Sequence, residues 1–168
     1  MSRPRKIGPG PVPWLLLAAV AAGTVLADRD PLAQGPQPVA LATLQGVVEH
    51  VRDGDTLELL GRVIRLQGVA APELRDPLGA ESRAALQHLV LGRTIACAPD
   101  GTRTHGRIVA VCSVDGRDLG AALVAAGLAR DCPRFSGGRY AALEQAAAAR
   151  GASIARVYPL PAYCAPRR

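Results

Sequence analysis

Residues 51–73 read Val51-Arg52-Asp53-Gly54-Asp55-Thr56-Leu57-Glu58-Leu59-Leu60-Gly61-Arg62-Val63-Ile64-Arg65-Leu66-Gln67-Gly68-Val69-Ala70-Ala71-Pro72-Glu73. With the residues just before them they hold three short β-rich runs: Val47, Val48 and Val51; Leu57, Leu59 and Leu60; and Val63, Ile64 and Leu66. Asp53-Gly54 divides the first two runs and Gly61-Arg62 the last two. Turn dipeptides at so close a spacing predict a tightly connected antiparallel meander.

Beyond Pro72 the period changes. Ala80, Ala84, Ala85, Leu86, Leu89 and Val90 recur at helical spacing and stop at Gly92, which predicts an amphipathic helix over 79–91 closed by a C-terminal glycine. Thr94 to Ala98 and Arg107 to Ser113 read as two further strands joined by a polar loop over 99–106, with a turn at Asp115-Gly116. A second helix is expected over 119–129 and an alanine-rich third over 140–150. Three strands, a helix, two strands and two helices form an α+β pattern. Five short strands interrupted by a helix after the third suit a small closed barrel, so the expected fold is a five-stranded antiparallel OB-fold β-barrel with three helices.

Upstream of the meander, residues 28–42 carry Pro31, Gly35, Pro36 and Pro38 without a periodic pattern and read as a linker, so the folded domain is expected over 43–168. Earlier still, Arg3, Arg5 and Lys6 precede an uncharged stretch from Val12 to Ala27. This reads as an export signal, residues 1–27, cleaved after Ala27, which places the mature chain in the periplasm or outside the cell. The other reading is an uncleaved anchor facing the periplasm. The uncharged run from Ile7 has the about 20 residues that spanning requires, although Gly8, Pro9, Gly10, Pro11 and Pro13 make a poor membrane helix.

The 168-residue chain has twenty basic and fourteen acidic residues, a net charge of +6 and a pI near 9.8. Three of the twenty basic residues lie in the export signal with no acidic ones, which leaves seventeen against fourteen, or +3, after cleavage. That excess is too small to identify a nucleic-acid binder. A composition 49% hydrophobic and 20% charged excludes a disordered tail or a multi-pass membrane protein. Only five aromatic residues occur, Trp14, Phe135, Tyr140, Tyr158 and Tyr163, which excludes recognition by rows of stacking rings.

All four cysteines, Cys97, Cys112, Cys132 and Cys164, fall in the expected mature chain, and an even count in an exported protein argues for two disulfides. Four cysteines allow three pairings. Cys97 closes one predicted strand and Cys112 lies in the next, so a cross-strand bridge is the first choice, leaving Cys132 to tie down Cys164. A structural zinc site is disfavoured, because no CxxC pair exists and His50, His88 and His105 are scattered.

Asp53-Gly54-Asp55-Thr56 gathers two carboxylates and a hydroxyl, the oxygen-rich chemistry that hard cations such as calcium require, although Asp and Gly are equally favoured in a plain turn. Arg65, between Ile64 and Leu66, must be exposed on the sheet or paired with an anion, since an unpaired buried charge is prohibitively costly.

Taken in order, Val51 to Leu57, Ile64-Arg65-Leu66-Gln67-Gly68-Val69, Ala71-Pro72-Glu73, His105-Gly106-Arg107 and Gly120 to Ala129 resemble the staphylococcal nuclease family across residues 46–129. The resemblance implies an OB barrel with three helices and calcium-dependent hydrolysis of phosphodiester bonds in DNA and RNA, the partner being single-stranded or flexible nucleic acid. Asp55 resembles a calcium-ligating aspartate and Ala71 the residue that offers its backbone carbonyl to the ion. Glu73 resembles the carboxylate that activates water, and Arg65 and Arg107 the two arginines that hold the phosphate. No stable protein partner is implied, and a membrane enters only if the N-terminal segment stays attached.

The chain departs from that pattern at Ala70, where the family has a second calcium-ligating aspartate. A methyl group cannot replace a carboxylate ligand, so calcium should bind more weakly, and Ala70→Asp should tighten it. His105 stands where tyrosine is common and Arg103 where an acidic residue is frequent. Two functions follow: an exported nuclease with a weakened calcium site, or a non-catalytic OB module that binds nucleic acid or another anion in the periplasm.

Overall fold

The computed structural model describes residues 41–152 and 154–166. The predicted export signal and residues 28–40 of the predicted linker lie outside the described residues. The strands are β1 (Leu44–Val47), β2 (His50–Val51), β3 (Thr56–Leu59), β4 (Arg62–Leu66), β5 (Val69–Ala70), β6 (Thr94–Thr104), β7 (Arg107–Val114), β8 (Arg117–Asp118) and β9 (Arg130–Asp131). The helices are α1 (Gly79–Val90), α2 (Leu119–Ala125), α3 (Pro133–Ser136) and α4 (Ala141–Ala149), followed by single 3-10 turns at Ile154–Arg156 and Ala162–Cys164. The class is α+β, as the order of elements predicts.

The sheet differs from the predicted antiparallel one. It is mixed and seven-stranded, with the order β1-β6-β7-β4-β3-β2 and β8 on the edge of β7, and a separate ribbon pairs β5 with β9. Strand β4 runs parallel to β7, with Ile64, Arg65 and Leu66 opposite Ile108, Val109 and Ala110. A parallel pair needs a long crossover, and the chain supplies one through β5, α1 and β6. The run of residues alone says nothing about which strand that crossover reaches.

The two strands at opposite ends of this sheet, β1 and β2, are separated along the chain only by Val48 and Glu49. Six strands laid flat would hold their edges about 24 Å apart at roughly 4.8 Å per spacing, whereas two connecting residues reach only about 10 Å. The sheet therefore curls until its edges approach each other. Gly46 of β1 meets this curvature, because a Cβ there would lie 3.2 Å from the Leu59 and Leu60 side chains. Inside the curl Leu57, Leu59, Ile64 and Ile95 are wholly buried, and Leu86 of α1 with Leu119 and Leu123 of α2 cover its end. Each such side chain contributes about 1.5–3 kcal/mol by leaving water.

Two predicted boundaries move. Residues 99–104, expected as a polar loop, continue β6; its pairing with β7 shifts register between Pro99 and Arg103, which absorbs the proline and Gly101. The reversal is a tight turn at His105 and Gly106, both with positive φ, +47° and +78°. Helix α2 ends at Ala125, four residues short of the prediction, because Gly127 adopts φ +72° where a side chain would strike the Ala152 carbonyl.

Both cysteine pairs form the first-choice bridges. Cys97 and Cys112 are direct partners across β6 and β7 with Cα atoms 4.0 Å apart, and Cys132 joins Cys164 at 4.6 Å. Among the described residues no helix is long and apolar enough to cross a membrane.

Candidate active site

Strand register gathers the candidate residues. Thr56 and Arg65 are direct partners across β3 and β4, so their side chains leave the same face. Arg65 in turn lies opposite Val109 of β7. Arg107, two residues before Val109, therefore shares that face. Asp55 immediately precedes Thr56, and its carbonyl accepts the Leu66 amide at 2.8 Å.

These side chains form a hydrogen-bonded chain. Arg65 donates through Nη1 to Asp55 Oδ1, the Thr56 hydroxyl donates to the same oxygen at 3.1 Å, and Arg107 Nη1 donates to Thr56 Oγ1 at 3.3 Å. The other Asp55 oxygen accepts the Ala71 backbone N–H at 3.0 Å. Asp55 is 2% exposed, and the Arg65 side chain 15%. Burial pushes the Asp55 carboxyl up to about 6 against the opposing pull of Arg65, with Asp53 adding to the rise. For Arg65 burial acts to lower the pKa, yet Asp55, Tyr163, Asp53 and Glu73 together raise it. Both pKa values thus rise, for different reasons: desolvation outweighs the single guanidinium at Asp55, and several acids outweigh desolvation at Arg65.

Gly54 has a packing role that a plain turn would not give it. A Cβ there would lie 1.9 Å from Ser82 Oγ and 2.7 Å from the Ala71 methyl. The missing side chain lets α1 and the 70–73 segment close upon Asp55. Gly79, the first residue of α1, plays the same part for Glu73, whose carbonyl would lie 1.9 Å from a Cβ at position 79. The Glu73 backbone is held in a small turn, its carbonyl accepting from Asp76 N at 2.8 Å and its N–H donating to Asp76 Oδ2 at 3.3 Å. Glu73 is exposed, and its charge acts on Arg65 and on Tyr163.

Tyr163 carries no mark in the sequence beyond standing next to Cys164. The structure brings it within electrostatic reach of Arg65, Asp55, Glu73 and Arg107. Its segment is fastened by the Cys132–Cys164 bridge and by Arg130 Nη1, which donates to the Tyr158 carbonyl at 3.2 Å.

Asp55 and position 70, where the resemblance places the calcium-ligating carboxylates, are otherwise engaged. Both oxygens of Asp55 already accept hydrogen bonds, three in all. Ala70 is wholly buried against Cys132 and Cys164, with Tyr158 and Leu160 packed over the same cluster. Among the described residues no three His, Cys, Asp or Glu side chains converge as metal ligands would. Calcium takes about 6 to 8 oxygens and holds more weakly as fewer of them are charged, and a sealed methyl group at position 70 supplies none. The expectation that Ala70→Asp would tighten calcium does not follow from this packing, because position 70 faces a disulfide.

An open concavity of about 510 Å³ between β2 and α1, lined in part by Glu49, His50, Gln87 and His88, contains none of these residues. Convergence of charge, not depth, locates the site.

Residues 63–154 match the family described as staphylococcal nuclease homologue. The succinoglycan biosynthesis protein ExoI of Rhizobium meliloti (strain 1021) is 37% identical over 121 residues, 65% of this chain and 63% of that protein. An uncharacterized endonuclease of Escherichia coli is 34% identical over 97 residues, 55% of this chain and 63% of its own length. Protein ParB of Escherichia coli is 33% identical over 98 residues, 56% of this chain and 51% of ParB. The chain thus spans less than two thirds of each of these relatives. Because the family match covers more than half of the 168 residues, and takes in β7, all but the first residue of β4 and both Arg65 and Arg107, the chain belongs to the staphylococcal nuclease family.

Proposed function

We propose that the chain is a nuclease that hydrolyses phosphodiester bonds in single-stranded or flexible DNA or RNA. The curled sheet is read as the five-stranded OB barrel of the family. The observation that carries the reading is the hydrogen-bonded chain Arg65–Asp55–Thr56–Arg107, which fixes two guanidiniums on one face. A phosphodiester under attack gathers negative charge on its non-bridging oxygens. Two guanidiniums positioned in advance stabilise that charge without reorganising, and each forks onto two oxygens. Glu73 takes a proton from the attacking water, a P–O bond forms as the P–O ester bond breaks, and the leaving oxygen is protonated from solvent. Asp55 holds Arg65 in place. The family's calcium is a property of the resemblance; no step here is assigned to it.

Two disulfides support an oxidising compartment, periplasmic or extracellular, with residues 1–27 as the export signal, 28–42 as the linker and 43–168 as the nuclease domain.

The buried methyl of Ala70 favours a second reading, a non-catalytic module that binds nucleic acid through the same arginines. One assay separates the two. The full chain is incubated with denatured DNA, with and without calcium and chelator, beside Glu73→Ala. The nuclease reading expects cleavage well above the Glu73→Ala background. Binding of a labelled strand without cleavage above that background would establish the module instead.

A further inference from the structure

We infer that Tyr163 is a substrate-positioning residue, its ring stacking on a base of the strand whose phosphate Arg65 and Arg107 hold. The inference rests on the proposed function and adds to it a wall of the site that lies outside residues 63–154, the span of the family match. Three observations carry it.

The first is placement. The C-terminal segment lies on β5: Tyr158, Leu160 and Cys164 pack on Ala70, and the neighbouring Ala71 donates its N–H to Asp55. The segment thus runs beside the carboxylate that anchors Arg65. Tyr163 also feels the charges of Arg65, Asp55, Glu73 and Arg107 together.

The second is the contrast between an anchored backbone and a half-exposed ring. Cys164 is wholly buried in its bridge to Cys132, and its N–H donates to the Pro161 carbonyl at 2.8 Å within the 3-10 turn. Tyr163, one residue away, is 49% exposed. Its backbone is ordered before any ligand arrives, so stacking a base on the ring costs little further entropy.

The third is scarcity. Among the described residues there are four aromatic side chains; Tyr140 is buried against Asp118 and Tyr158 is packed on the Ala70 cluster, which leaves two half-exposed rings, Phe135 at 48%, with Arg134 over it, and Tyr163 at 49%. Of the two, Tyr163 is the ring carried by the segment that packs on Ala70.

The test uses the full chain as wild type, Tyr163→Leu, Tyr163→Phe and Arg107→Ala, with a labelled single-stranded DNA decamer followed by fluorescence anisotropy and inorganic phosphate as competitor. Tyr163→Leu should weaken decamer binding about tenfold, the size of one lost base stack, and raise KM with little change in kcat. Inorganic phosphate should compete equally well against Tyr163→Leu and wild type, because it uses the arginines alone. Tyr163→Phe should bind the decamer as wild type does. If Tyr163→Leu binds as tightly as wild type while Arg107→Ala is impaired, the stacking role is overturned and the nuclease reading stands. If Tyr163→Phe is as weak as Tyr163→Leu, stacking is also overturned. A wild-type chain that neither binds nor cleaves the decamer overturns the proposed function, and the role of Tyr163 with it.

Discussion

Arg65 reaches from β4 to donate to Asp55 Oδ1, so a carboxylate that the family resemblance assigns to a metal is held by a guanidinium of the same chain. In the proposed nuclease Asp55 is thereby a positioning residue. It fixes Arg65 directly and, through the Thr56 hydroxyl, Arg107.

The two arginines should respond differently to mutation. Asp55→Ala removes the ion-pair partner of Arg65, whose side chain is 15% exposed; breaking a buried pair costs about 3–5 kcal/mol, and Asp53 and Glu73 offset part of that. The double variant Asp55→Ala/Arg65→Met should recover much of that loss. Arg107 is half-buried and held only by bonds of 3.3–3.4 Å, so Arg107→Ala should change stability by no more than about 0.5 kcal/mol. It should nonetheless lower kcat about 10²–10³-fold, the usual effect of removing one preorganised donor. Urea unfolding and steady-state cleavage read the two effects; an Asp55→Ala chain as stable as wild type would show that the pair does not hold the site.

The disulfides should separate stability from binding. Cys97–Cys112 closes 15 residues and Cys132–Cys164 closes 32, and restricting the unfolded chain by loops of such lengths is worth about 3 and 4 kcal/mol. Replacing either pair by alanine should lower the unfolding midpoint. Only loss of Cys132–Cys164 frees the segment carrying Tyr163, so only that variant should bind the DNA decamer more weakly. Equal decamer affinities for both variants would contradict this division.

Ala70→Asp tests why the resemblance and the geometry part company. The residue is fully buried beneath Cys132, Cys164, Tyr158 and Leu160, so a carboxylate there meets apolar surface. The substitution should destabilise the fold by about 3 kcal/mol and create no tight calcium site. Calorimetric titration with calcium checks the second part; saturable binding in the micromolar range by Ala70→Asp alone would show that position 70 can turn to face an ion.

What was legible in the sequence is what local pattern encodes. The apolar runs around Leu57 and Ile64 mark strands, Gly92 closes the first helix, and Ile64-Arg65-Leu66 announces an arginine in need of an anion. Three features depend on contacts between distant residues and carry no local signal. Arg65 lies opposite Val109 only because a crossover returns the chain parallel to β4. Residues 99–104 look like a loop because they are polar, yet a register shift lets them pair. Tyr163 enters the site only through a bridge between cysteines 32 residues apart. Cys97 and Cys112, by contrast, were readable as partners because adjacent strands bring them opposite one another.

Alkaline pH should expose the tyrosines. Burial pushes the Tyr158 hydroxyl up to about 12. Burial and the 2.8 Å hydrogen bond to Asp118 raise that of Tyr140, and burial outweighs Arg65 in raising that of Tyr163. An unfolded tyrosine titrates near 10, so between pH 10 and 12 the unfolded chain loses protons that the folded chain keeps. Stability from these groups is complete below pH 10 and falls as pH rises toward 12. Lysine does not obscure this window, since Lys6 is the one lysine in the chain and arginine remains protonated. The urea midpoint should therefore hold from pH 8 to 9.5 and drop by pH 11. Tyr140→Phe, which has no proton to lose, should be less stable than wild type at pH 8 through the lost bond to Asp118, yet show a shallower alkaline decline. A decline as steep as that of wild type would mean that Tyr140 titrates alike in the folded and unfolded chains.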